Sequence, residues 1–125
     1  MADLNFDKGK GTLTAFGRTW PAVSGIKGKH RPLPAGVYSV PAGALMTGTE
    51  QVEGVGFNKK YAHPAYKDRT GFGWFLWLGK GNLGLHPDGN VPGTQGCIGV
   101  TKNNTRDLFK LLQSRNGEAI SVVVK

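Results

Sequence analysis

Glycine and proline interrupt this chain so often, twenty and seven times in 125 residues, that its regular structure has to come in short pieces. In a helix interior glycine costs about 1 kcal/mol and proline about 3 kcal/mol relative to alanine, so this punctuation disfavours long helices. Short strands joined by many turns are the expected alternative. The chain is expected to be one domain over residues 1–125, large enough to bury a core without disulfides or a structural metal. Its expected class is mainly β (α+β).

Local patterns give the pieces. Thr12-Leu13-Thr14-Ala15-Phe16 alternates and stops at Gly17, a strand followed by a turn. Thr19 to Val23 is a second strand, expected at a sheet edge because Pro21 lacks a ladder donor. Residues 25–34 are a loop, and Val37 to Val40 is a short strand between Gly36 and Pro41. Residues 48–71 show no assignable period. Gly73 to Leu78 and Leu83 to His86 read as strands, with the Gly79–Gly84 run as the turn between them. A helix is expected over roughly Asn104 to Arg115: Asn103, Asn104 or Thr105 can cap it, Leu108, Leu111 and Leu112 form its stripe, and Gly117 can end it. Ala119 to Val124 closes the chain as a strand, and no repeat or linker is evident.

The only cysteine, Cys97, cannot form an intramolecular disulfide, and free cysteine is most often a small buried hydrophobe. Its surroundings argue for more. Gly93, Gly96 and Gly99 clear side chains from around the sulfur, and the Thr94-Gln95 pair before it is polar. A thiol of ordinary pKa, near ~8.5, is mostly protonated at neutral pH and needs a base. His86 precedes it across an interval that suits two strands joined by a loop. Within reach of the sulfur, its imidazole would form a thiolate–imidazolium pair.

Thr94-Gln95-Gly96-Cys97-Ile98, preceded by His86, resembles the active-site signature of the L,D-transpeptidases (the YkuD-like fold): a histidine, a variable loop, then Ser/Thr-x-Gly-Cys and an aliphatic residue. Pro34-Ala35-Gly36-Val37-Tyr38-Ser39-Val40 is similar to an early Thr-Pro-x-Gly-x-Tyr strand of such domains. There are departures. Gln95 stands in place of the usual histidine, Gly99 in place of the usual arginine after Cys-Ile, and Pro87 in place of a glycine. With the short interval between histidine and cysteine, these features resemble a compact branch that includes type VI secretion antibacterial effectors and some phage lysis proteins.

The resemblance implies a β-sandwich or barrel of short strands, with one helix in the C-terminal half followed by a final strand. It implies cysteine-dependent acyl transfer or hydrolysis on peptidoglycan stem peptides, with Cys97 and His86 catalytic. Backbone N–H groups at Gly96 and Cys97 would face the oxyanion, supported by Gly93, Thr94 and Gln95. Without the arginine, Arg69 becomes the candidate for the substrate carboxylate, on a loop with Tyr66. Trp74 is read chiefly as packing, with a wall of the substrate groove as the alternative. No cofactor and no metal is implied. The partners are stem peptides and, through the compact branch, a secretion apparatus, an immunity protein or a holin.

Other features are consistent with this reading or set aside. A net charge of +8, from 16 basic and 8 acidic residues, favours polyanions. The cations are scattered, with no run and no nucleic-acid module, so a basic nucleic-acid-binding β-domain is the weaker alternative, beside a non-catalytic wall-binding module. Gly79-Lys80-Gly81-Asn82-Leu83-Gly84 matches a dinucleotide fingerprint but opens no helix. His30, His63, His86 and Cys97 fit no ligand spacing. Asn103-Asn104-Thr105 matches a glycosylation acceptor, which matters only in a secretory pathway. The first residues lack the pattern of a signal peptide, and the Trp74–Leu78 cluster is too short to span a bilayer, so no membrane insertion is expected. The expected life history is synthesis in the cytoplasm without a Sec signal, then delivery to the periplasm or wall by secretion machinery or at phage lysis.

Overall fold

A computed structural model describes residues 3–25, 31–46, 68–81, 83–88 and 97–125. Along them run β1 (Leu4–Asp7), β2 (Thr12–Ala15), β3 (Arg18–Ser24), β4 (Gly36–Val40), β5 (Leu45–Met46), β6 (Phe75–Trp77), β7 (Gly84–Pro87), β8 (Ile98–Val100), α1 (Arg106–Ser114) and β9 (Ile120–Val124). The strands form one mixed sheet in the order β4-β9-β1-β2-β3-β8-β7-β6-β5. The β1–β9 and β7–β8 pairs are parallel.

Alternation builds the core. Leu4 and Phe6, Leu13 and Ala15, Trp20 and Ala22, and Ile120, Val122 and Val124 all turn inward and are buried. Fully burying a leucine or phenylalanine side chain contributes about 1.5–3 kcal/mol, so these strands carry much of the fold's stability. The two-residue loop between β2 and β3, Phe16-Gly17, has both φ angles positive, 54° and 72°. That is the handedness that suits the twist of a tight hairpin.

The sheet curls into a half-barrel. Gly79, in the turn between β6 and β7 near one end of the strand order, packs on the Ser39 carbonyl of β4 at the other end. Its φ is 77°, and a β-carbon there would collide with that oxygen. Only glycine satisfies both constraints.

The helix follows β8 and leans on the lead-in to β6. Leu108 and Leu112 are buried, and the Phe109 ring meets Phe72 edge-on at 5.1 Å. Thr105 is the N-cap, but its hydroxyl makes no cap hydrogen bond. It donates instead to Asp68 Oδ2 at 2.8 Å, as does the Thr105 N–H at 2.9 Å. Asp68 Oδ1 accepts from the N–H groups of Thr70 and Phe72 and from the Thr70 hydroxyl. Burial alone would raise the Asp68 pKa, yet these donors hold it below the ordinary carboxylate value.

One expectation is corrected. The strand carrying Pro21 is not at an edge: β3 lies between β2 and β8. The proline is tolerated because of where the pairing changes hands. The Ala22 N–H donates to Gly11 on the β2 side, so by strand alternation the nitrogen of Pro21 faces the β8 side. The β8 ladder covers only Ala22 to Ser24, and at residue 21 it asks for an acceptor, which the Pro21 carbonyl supplies to the Thr101 N–H at 3.0 Å. The missing donor therefore falls just beyond the ladder.

Candidate active site

Cys97 is partly exposed and stands immediately before β8. β7 runs parallel to β8, with Leu85 opposite Ile98 and His86 opposite Gly99. Extending that register by one residue puts Gly84 opposite Cys97. Side chains opposite one another, or two residues apart, project from the same face of a sheet. Cys97, Gly99, Gly84 and His86 therefore share one face of two neighbouring strands.

His86 is only 4 % exposed. Its Nδ1 lies 2.8 Å from the Pro87 carbonyl oxygen. A carbonyl can only accept, so Nδ1 carries the proton and the lone pair is left on Nε2. Burial lowers the His86 pKa to about 4, against the smaller opposing pull of the Pro87 carbonyl. The imidazole is thus neutral at physiological pH, in the tautomer a general base needs. Nε2 is therefore the ring nitrogen able to accept a proton.

The ring is also held from its side. Phe75, opposite His86 in the β6–β7 register, stacks on it with centroids 5.9 Å apart and planes 8° from parallel. Gly84 makes room for that stack: a β-carbon there would run into the Phe75 ring. Gly99 has a similar place on β8. A β-carbon at 99 would sit 2.6 Å from Cβ and Oδ2 of Asp88. The buried Asp88 side chain thus fills the space directly above the residue that replaces the signature arginine.

On the other side of β8, Ser24 donates its hydroxyl proton to the Cys97 carbonyl at 2.6 Å. Sequence reasoning missed Ser24 and Phe75. Gly84 had a signal, the close glycine spacing of residues 79–84, which reads as a turn rather than as clearance for a ring.

The remaining expected residues divide. Gly93, Thr94, Gln95, Gly96 and Tyr66 lie outside the described residues, as do His30 and His63. Trp74 is fully buried, with its indole N–H donating to the Thr105 hydroxyl at 3.0 Å. It packs the core, and its burial leaves no surface for a groove wall. Arg69 is exposed on the turn that follows Asp68. Among the described residues no group of three His, Cys, Asp or Glu side chains could hold a metal ion, and no helix is long and apolar enough to cross a membrane.

Comparison with known proteins places the chain in a family. A family model described as the L,D-transpeptidase catalytic domain, YkuD, matches residues 5–124. Among solved structures, the chain is similar to Mycobacterium tuberculosis L,D-transpeptidase 1, with a TM-score of 0.57 and 16 % identity. The match covers 98 % of this chain and 58 % of that one; at that identity the likeness is one of fold. No curated protein sequence matches.

Proposed function

The chain belongs to the YkuD family of L,D-transpeptidase catalytic domains, and from that membership we infer that it performs cysteine acyl transfer on peptidoglycan stem peptides. The observation that carries this reading is the pairing of Cys97 and His86 on one face of adjacent parallel strands, with His86 Nδ1 tied to the Pro87 carbonyl.

In the proposed reaction, Nε2 of neutral His86 takes the thiol proton as Sγ of Cys97 attacks the carbonyl at the L-centre of the diamino acid. Backbone N–H groups at Gly96 and Cys97 receive the developing oxyanion. Collapse breaks the C–N bond to the terminal D-residue, and the imidazolium returns its proton to the departing amine. The thioester left on Cys97 is then resolved by an acceptor. The amine of a second stem gives a cross-link, a free D-amino acid gives exchange, and water gives carboxypeptidase or endopeptidase action. Neutral His86, with its lone pair on Nε2, can take the thiol proton at the start of this cycle.

Arg69, exposed and cationic, remains the proposed ligand for the substrate carboxylate, with Tyr66 three residues before it in sequence. The departures at Pro87, Gln95 and Gly99 support the compact branch. Delivery to the wall by secretion machinery or at phage lysis is proposed on that support.

The test is mass spectrometry of purified muropeptides after incubation with the native protein and with Cys97→Ala. New cross-linked, exchanged or trimmed species are expected with the native protein alone, and their masses name the acceptor. An unchanged profile with both proteins would leave a wall-binding module without turnover as the function.

A further inference from the structure

Ser24 is the last residue of β3 and pairs with Ile98, the residue after the cysteine. Its hydroxyl stands between two backbones. It accepts from the Leu33 N–H at 2.8 Å and donates to the Cys97 carbonyl at 2.6 Å. Because a carbonyl oxygen can only accept, the hydroxyl proton must point toward Cys97, while the Leu33 N–H takes a lone pair. The Leu33 stretch is itself fastened. The Lys8 ammonium donates to the Leu33 carbonyl at 3.0 Å, the Tyr38 hydroxyl donates to the Pro34 carbonyl at 2.7 Å, and the Leu33 side chain is fully buried.

The carbonyl held by Ser24 belongs to the peptide plane that follows Cys97. Holding that plane restricts ψ of Cys97, and with it the direction in which the Cα–Cβ bond carries the sulfur. Cys97 lies outside the β8 strand proper, so the serine side chain extends the strand's hold by one residue, to where the chemistry occurs.

We propose that Ser24 is a positioning residue for the nucleophile: through the Leu33–Ser24–Cys97 hydrogen-bond relay it aims the Cys97 thiol at its electrophile. The proposal rests on Cys97 acting as the nucleophile, but not on peptidoglycan being the substrate. A misplacement of about 1 Å costs on the order of 100-fold in rate, so losing one anchoring hydrogen bond is expected to be visible in acylation.

The experiment measures acetylation of Cys97 by p-nitrophenyl acetate near neutral pH, followed by intact-protein mass. His86 Nε2 takes the thiol proton as the sulfur forms a bond to the acetyl carbon, the ester C–O bond breaks, and p-nitrophenolate leaves with the electron pair. Native protein, Ser24→Ala, Ser24→Thr and Tyr38→Phe are compared. Val122→Ala serves as a control for lost stability away from the site. Ser24→Ala is expected to slow acetylation at least about tenfold. Ser24→Thr, which keeps the hydroxyl, should stay within about threefold of native, Tyr38→Phe should fall in between, and Val122→Ala should match native while melting earlier.

Equal acetylation rates in native and Ser24→Ala, or a threonine variant no faster than the alanine one, would overturn the proposal. Should Ser24→Ala not fold, a Tyr38→Phe rate equal to native would do the same. A native protein that acetylates in this order but leaves stem peptides untouched would refute the transpeptidase reading and support the role of Ser24.

Discussion

A buried histidine that donates its one N–H to a neighbouring carbonyl has consequences for both chemistry and stability. With its pKa near 4, folded His86 stays neutral while the unfolded chain, titrating near 6.5, takes up a proton. The unfolded state then binds more protons, so stability must fall as pH drops from about 6.5 toward 4, and this group contributes no pH dependence above that window. The full loss is about 3 kcal/mol at 1.36 kcal/mol per pKa unit. It precedes the losses from Asp68 and Asp107, whose depressed pKa values stabilise the fold until pH falls below the ordinary carboxylate range. Urea denaturation at pH 7 and pH 4.5, on native protein and on His86→Gln, checks this. The native protein should lose markedly more stability between the two than the variant does. Parallel losses would place the titrating group elsewhere.

At the scale of elements, the site depends on glycines that let neighbours come close. Gly84→Ala puts a β-carbon into the Phe75 ring, which must leave its stack with His86. An overpacked contact costs about 1–3 kcal/mol, and a histidine without its side support should lower turnover on the order of tenfold or more. Melting and turnover measured together test this, and a variant with native turnover would show that the stack does not orient the base. Most elements were legible because period and punctuation agreed: β2, β4, β6, β7, β9 and the helix lie within a few residues of their expected positions. β1 was not read as a strand because its Leu4–Phe6 alternation covers only two inward residues beside acidic ones. β5, two residues long, has no period to read. Pro21 misled because a proline excludes a donor from one side of a strand, and only the pairing shows whether that side needs one. The likeness around Cys97 pointed to Cys97 and His86 as the proposed catalytic pair. The parallel register that puts both residues on one face, and the supports from Ser24 and Phe75, arise from contacts distant in sequence and leave no local signal.

The molecule as a whole is a basic half-barrel with few acids to balance it. Among the described residues, Arg18 and Lys102 converge on Asp107, and Arg115 joins Asp3 and Glu118. Exposed pairs of this kind contribute about 0–1 kcal/mol each, so the net +8 charge bears more on encounter than on folding. Retention on purified, anionic cell wall is expected to weaken as salt rises and the screening length contracts through about 8–10 Å. Pelleting assays across a salt series read it, and salt-independent retention would assign binding to uncharged contacts. The proposed turnover by Cys97 and His86 is separate from binding and should persist on soluble stem peptides at salt that abolishes retention. The most direct measurement is therefore intact-protein mass spectrometry during incubation with a soluble stem tetrapeptide. A hydroxylamine-sensitive thioester adduct on Cys97 is expected, with release of the terminal D-amino acid in step with it, and neither in Cys97→Ala. Release of that residue by the native protein and by Cys97→Ala alike would contradict it.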